Sequence, residues 1–147
     1  VVSFGGTKNG LMGAEAVLVL NPDAVTGVRY LRKTSMQLAS KMRFISAQLV
    51  ALLEGDLWLR SAAHANAMAQ RLEAAVRAIP GVEVTQPVQA NAVFAVVPPE
   101  VTERLQKRFR FYTWDPHTGE VRWMCAFDTT ESDVDGFAAA IAEEMSG

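Results

Sequence analysis

The sequence is short of several things that define common classes of protein. It has one cysteine, Cys125, in 147 residues. No intramolecular disulfide framework can form, and a lone thiol suits a reducing compartment, so the expected location is the cytoplasm. It has only two histidines, His64 and His117. With one cysteine beside them, no histidine–cysteine metal set can be assembled, and no metal is expected. Neither sign of charge is in excess: 14 Lys and Arg stand against 16 Asp and Glu, a net charge of −2. A nucleic-acid-binding domain would carry a basic stripe, so no nucleic-acid partner is expected. The apolar stretches are broken by Gln, Arg or Glu before they reach membrane-spanning length, so no membrane partner is expected. An initiating methionine and a charged-then-apolar leader are also absent. The chain begins inside the apolar run Val1–Phe4 and reads as a piece of a longer protein.

What is present is ordinary in bulk and specific in detail. Half the residues are hydrophobic and a fifth are charged, which fits one globular domain with a real core. Val1–Phe4 and Glu15–Leu20 read as strands. Asn21-Pro22 reads as the start of a short helix ending near Tyr30 to Thr34. Leu38, Met42, Ile45, Leu49 and Leu52 recur at helical spacing. Gly55 interrupts, and Asp56 caps a further helix whose stripe runs from Leu59 through Leu72 and Val76 to Ile79, stopped by Pro80-Gly81. The period then changes. Val82–Val84, Ala92–Val97, Phe109–Thr113 and Val121–Phe127 read as strands, with a helix between Pro99 and Lys107. Thr130-Glu131-Ser132-Asp133 opens a last helix with a capping box. The expected division is therefore residues 1–55, the end of a large α/β domain, and residues 56–147, a small α+β domain with a mostly antiparallel sheet.

Lys8 is the first candidate for chemistry. It follows a strand, in Gly5-Gly6-Thr7-Lys8-Asn9-Gly10. Glycines let backbone approach a ligand closely, and a lysine amine held there is placed to form an imine with an aldehyde cofactor. A surface lysine in a glycine-rich loop is the plainer reading. The run is not a P-loop, because it lacks the spacing G-x-x-x-x-G-K-[ST]. Arg122 is the second. Alternation places Val121, Trp123, Cys125 and Phe127 on one face and Arg122, Met124 and Ala126 on the other. An arginine in so apolar a strand either faces a cleft, where its fork suits a carboxylate, or sits on an edge strand paired with Glu120 or another surface acid. Arg29, Arg32, Lys33, Lys41 and Arg43 form a basic group that suits a phosphate or a solvated helix face. His64 reads as exposed, His117 as a turn residue and Cys125 as core. Trp58, Trp114 and Trp123 read as packing anchors.

Ser3-Phe4-Gly5-Gly6-Thr7-Lys8-Asn9-Gly10 with Ala14-Glu15-Ala16-Val17 resembles the cofactor-lysine segment of low-specificity L-threonine aldolases. The similarity continues through Arg32-Lys33, Gln37–Phe44 and Asp56–Arg60, then Ala90–Phe94 and Val121-Arg122-Trp123, along essentially the whole chain. The resemblance implies a fold-type-I, PLP-dependent transferase-like architecture of α/β class. It implies pyridoxal 5′-phosphate (PLP) as cofactor and retro-aldol cleavage of threonine, allo-threonine and related β-hydroxy-α-amino acids to glycine and an aldehyde. It implies Lys8 as the Schiff-base lysine and Arg122 as the clamp on the substrate carboxylate. Lys33, Lys41 and Arg43 fall near family positions that supply basic groups around the cofactor, some from a neighbouring subunit, so a homo-oligomer (dimer or tetramer) is implied. The family's catalytic base, its ring-stacking residue and most of its phosphate cup lie upstream of the lysine. The expected partners thus include a missing N-terminal half, with little or no activity in this chain alone. The alternative from another class is a non-catalytic α+β interaction domain with an incidental lysine loop.

Overall fold

The computed structural model describes residues 1–147, which divide into two compact units, Val1–Arg60 and Ser61–Gly147. In the first unit, strands β1 (Val2–Gly5) and β2 (Glu15–Leu18) pair antiparallel, with Phe4 opposite Ala16. A 3₁₀ turn at Thr7–Asn9 lies between them. The expected helix after Asn21 is split in two. Asn21 caps a 3₁₀ turn, Pro22–Ala24, by accepting from the Asp23 amide at 3.1 Å. Gly27, at φ 69°, then breaks the chain direction before helix α1 (Val28–Thr34). Helix α2 covers Met42–Leu53, so Leu38 falls outside the helix its spacing suggested. Of this unit's apolar side chains, only Ala14 and Leu52 are fully buried.

Helix α3 (Leu57–Arg77) starts in the first unit and supplies Ala65, Met68, Ala69, Leu72 and Val76 to the core of the second. Asp56, at its start, pairs with Arg60 at 2.9 Å. The second unit has a four-stranded, wholly antiparallel sheet in the order β3-β4-β6-β5. Its strands are β3 (Glu83–Val84), β4 (Ala92–Val96), β5 (Tyr112–Asp115) and β6 (Glu120–Met124). Helices α4 (Pro99–Gln106) and α5 (Glu131–Ser146) complete it. The period-2 pattern is exact in the two central strands. Val93 and Ala95 of β4 and Val121 and Trp123 of β6 are buried against Leu72, Leu105 and Ile141, while their alternates face outward. The result is one layer of helices on one sheet face, with the other face open.

The strand expected at Phe109–Thr113 is displaced towards the turn, to Tyr112–Asp115. Phe109 and Phe111 leave the sheet to pack edge-on against Phe137 and Trp123, at centroid distances of 4.9 and 6.3 Å. Burial of aromatic surface there outweighs continued strand pairing. Of the three tryptophans, only Trp123 is a buried anchor; Trp58 and Trp114 are about half exposed. The capping box on α5 is present: Thr130 accepts from the Asp133 amide at 3.1 Å and Asp133 accepts from the Thr130 amide at 2.9 Å. No helix is long and apolar enough to cross a membrane.

Candidate active site

The lysine turn is held by backbone from within. The buried Gly6 donates to the Ala14 carbonyl at 2.9 Å and accepts from the Asn9 and Leu11 amides at 3.0 and 3.1 Å. A Cβ on Gly6 would stand 3.0 Å from the Ala14 carbonyl oxygen and run into the Leu11 side chain, so glycine is required by close approach. Gly10 leaves the turn at φ 104°, a conformation few other residues adopt. Neighbours fix the turn from outside. Thr7 donates to Glu15 at 2.8 Å, and the Glu15 carboxylate lies against Gly5 where a Cβ would stand. The Asn9 side chain donates to the Trp58 carbonyl at 3.0 Å. Gln48 of α2 accepts from the Met12 and Gly13 amides at 3.1 and 3.3 Å. Lys8 itself is exposed and ion-paired with nothing; Arg60–Asp56 is the unit's only ion pair. A rigid frame thus carries a free amine.

Arg122 occupies β6, an inner strand, so the edge-strand alternative does not hold. It has no ion pair, and Glu120 instead accepts from Thr85 at 2.5 Å. Its guanidinium carbon lies 4.4 Å from the centre of the Trp114 ring. Trp114 in turn meets Phe94 edge-on at 5.5 Å. The Arg122 Nε is sealed from solvent without a hydrogen-bond partner, whereas its two terminal nitrogens are not. A partly buried cation that pairs with no carboxylate is arranged to receive an anion.

The remaining candidates differ in setting. Lys33, Lys41 and Arg43 are exposed, as are Arg29 and Arg32. Arg32 donates to the Gln37 carbonyl at 3.2 Å, and Arg43 lies over its neighbour Phe44 at 4.7 Å. Lys8, Lys33, Lys41 and Arg43 all belong to the first unit and Arg122 to the second. His64 contacts the Thr129 carbonyl through Nε2 at 2.7 Å, which ties α3 to the loop before α5. Cys125 is buried in the core, and that burial pushes its thiol up from the ordinary value. A cleft of about 340 Å³ bordered by Leu72, Phe111, Trp123, Cys125 and Phe137 is lined by none of Lys8, Lys33, Lys41, Arg43 and Arg122.

The family model for beta-eliminating lyases matches residues 1–98. This chain belongs to the beta-eliminating lyase family. Within the family, it is 48% identical over 147 residues to the low-specificity L-threonine aldolase of Pseudomonas sp. (strain NCIMB 10558), covering 99% of this chain and 42% of that protein. It is 45% identical over 130 residues to the low-specificity L-threonine aldolase of Pseudomonas aeruginosa, covering 88% of this chain and 37% of that one. The structure of a Leishmania major threonine aldolase matches it with a TM-score of 0.85 at 27% identity, over 97% of this chain and 42% of that one. The beta-eliminating lyase chain therefore spans about two-fifths of the length of the relatives it matches. Its fold is that of the fold-type-I PLP enzymes, as the resemblance implied. The sequence pattern assigns no role to Glu15 or to the Asn9 side chain, which hold the lysine turn, and it reads Trp114 as a packing anchor without its contact to Arg122. The turn Pro116–Gly119 was the available signal for Trp114, because a hairpin there brings β5 beside β6.

Proposed function

We propose that this chain is the C-terminal part of a PLP-dependent aldolase that cleaves β-hydroxy-α-amino acids, L-threonine and L-allo-threonine among them, to glycine and an aldehyde. One observation carries the reading: identity of 48% to a low-specificity L-threonine aldolase across 99% of the chain. The residues present fit the cofactor. Lys8 stands free of any carboxylate on a turn whose buried glycine a Cβ would fill, and Lys33, Lys41 and Arg43 are likewise unpaired. That donor set suits an aldehyde bearing a phosphate.

In this reading Lys8 holds PLP, and Lys33, Lys41 and Arg43 supply positive charge towards its phosphate, in part from a neighbouring subunit. When bound, PLP supplies a sink for the electron pair left as the Cα–Cβ bond breaks. Arg122 grips the substrate carboxylate with its open fork. Anchoring that group would orient the substrate and so set which bond at Cα is aligned for cleavage, which would give Arg122 a part in reaction choice as well as affinity. The exposed apolar residues of the first unit, Leu31, Leu38, Phe44 and Val50 among them, support coverage by an upstream part of the protein and by other subunits. The lone reduced cysteine supports a cytoplasmic enzyme.

Borohydride reduction of the full-length enzyme with PLP tests this reading. A pyridoxyl label on Lys8, lost in Lys8→Ala, is expected; label elsewhere or nowhere favours a non-catalytic interaction domain. The 147-residue chain alone should not turn over allo-threonine, and turnover by it would overturn the reading of this chain as an incomplete enzyme.

A further inference from the structure

The open face of the sheet carries a short stack of side chains from three strands. Phe94 of β4 stands edge-on behind the Trp114 ring at 5.5 Å, and the Arg122 guanidinium of β6 lies over that ring at 4.4 Å. Trp114 sits where the β5–β6 register slips, between the Thr113–Val121 and Asp115–Glu120 pairs. A bulge of this kind adds a residue to one strand and re-aims its side chain. Here the re-aimed side chain meets the guanidinium. The acids nearest in the register, Glu120 on the same strand and Asp115 opposite it, make no ion pair with the arginine; Glu120 accepts from Thr85 and Asp115 from the His117 amide. The arginine's cross-strand neighbours are Phe94 and Tyr112, and it makes no ion pair. An arginine is most simply held by a carboxylate, but a carboxylate would occupy the fork and neutralise the charge a ligand must meet. A ring held against the guanidinium plane restrains it while leaving both terminal nitrogens free.

We propose that Trp114, braced by Phe94, is a positioning residue that holds the Arg122 fork in place for the carboxylate of the amino-acid substrate. The proposal rests on the reading of Arg122 as the carboxylate clamp. Trp114 does not touch the reacting atoms; it acts through Arg122. It follows that Trp114 contributes to recognition of the carboxylate and to nothing that lacks one.

The test is the affinity of the full-length PLP-loaded enzyme for glycine and for glycinamide, measured by calorimetric titration. Trp114→Ala should weaken glycine binding by about three- to thirtyfold, the span of a ring–guanidinium contact from exposed to desolvated. Its affinity for glycinamide, which has no carboxylate, should stay at the wild-type value. Trp114→Phe should restore most of the glycine affinity. In the Arg122→Ala background, Trp114→Ala should add nothing. Equal losses for glycine and glycinamide, or an undiminished effect without Arg122, would overturn the positioning role. If Arg122→Ala itself leaves glycine binding unchanged, the clamp reading fails first, and the two failures are told apart. Should Trp114→Ala not fold, the Trp114→Phe and Trp114→Leu pair decides: retention with Phe and loss with Leu is expected, and equal behaviour refutes the proposal.

Discussion

Lys8 owes its setting to what its neighbours lack. Gly6 has no side chain, so its amide reaches the Ala14 carbonyl and closes the turn around the lysine. Gly6→Ala should force those groups apart and cost about 1–3 kcal/mol, read as a lowered midpoint in thermal unfolding of the full-length enzyme. Arg122→Ala should weaken amino-acid binding by about 2 kcal/mol or more, because it leaves the substrate carboxylate unpaired in a partly buried site; an unchanged Michaelis constant would remove the assignment. Cys125 should resist thiol reagents in the folded protein and react on unfolding, since burial disfavours its thiolate. At this scale the glycine turn around Lys8 and the alternation around Arg122 are legible in the sequence, because glycine spacing and strand period are local properties, whereas the roles proposed for the two residues come from the family resemblance. Trp114 is not legible in this way. Its value lies in a partner eight positions away across a hairpin with a slipped register, which no local pattern encodes.

The elements that were legible are those whose ends are marked by local chemistry. The α5 capping box and the exact alternation of β4 and β6 are examples. Thr130→Ala should destabilise the second unit by about 0.5–2 kcal/mol in chemical denaturation, because it strips the cap from the amide of Asp133. Arg71 of α3 reaches Asp135 through both Nε and a terminal nitrogen at 2.8 Å, and Glu131 at 3.0 Å. Such a pair links the two helices but adds little stability, being exposed. Two elements are displaced from their sequence pattern for different reasons. Phe109–Phe111 has the composition of a strand, and Pro22–Thr34 reads as one helix. Tertiary packing of aromatics moved the first, and a left-handed glycine cut the second.

Burial is uneven across the whole chain. Of the 19 buried apolar side chains, two belong to residues 1–60. In the isolated chain, amide exchange should therefore be slow in the second unit and fast throughout the first; equal protection would show that the first unit stands by itself. Two exposed carboxylates contribute modestly to stability on the acid side. Hydrogen bonds from Thr130 lower the Asp133 value, and those from Arg71 lower that of Asp135. Native values below the unfolded ones mean that their stabilisation is complete above about pH 4 and is lost as pH falls through the native values. Cys125 contributes on the alkaline side. Its value is raised by burial, so its contribution is whole below about pH 8.5 and fades as pH rises through the native value. A denaturation midpoint followed from pH 2 to 10 should fall at both ends.

The strand that carries Arg122 has one further consequence. Val121, Trp123 and Cys125 build the core, while Arg122 and Met124 lie between them on the other face. Because the period is two, inserting or deleting one residue in Glu120–Met124 would turn the arginine into the core and the tryptophan out of it. Folding and ligand recognition would fail together, with no graded intermediate. The neighbouring turn at Pro116–Gly119 obeys no such parity, so length variation among natural relatives should collect in the turn and be missing from the strand.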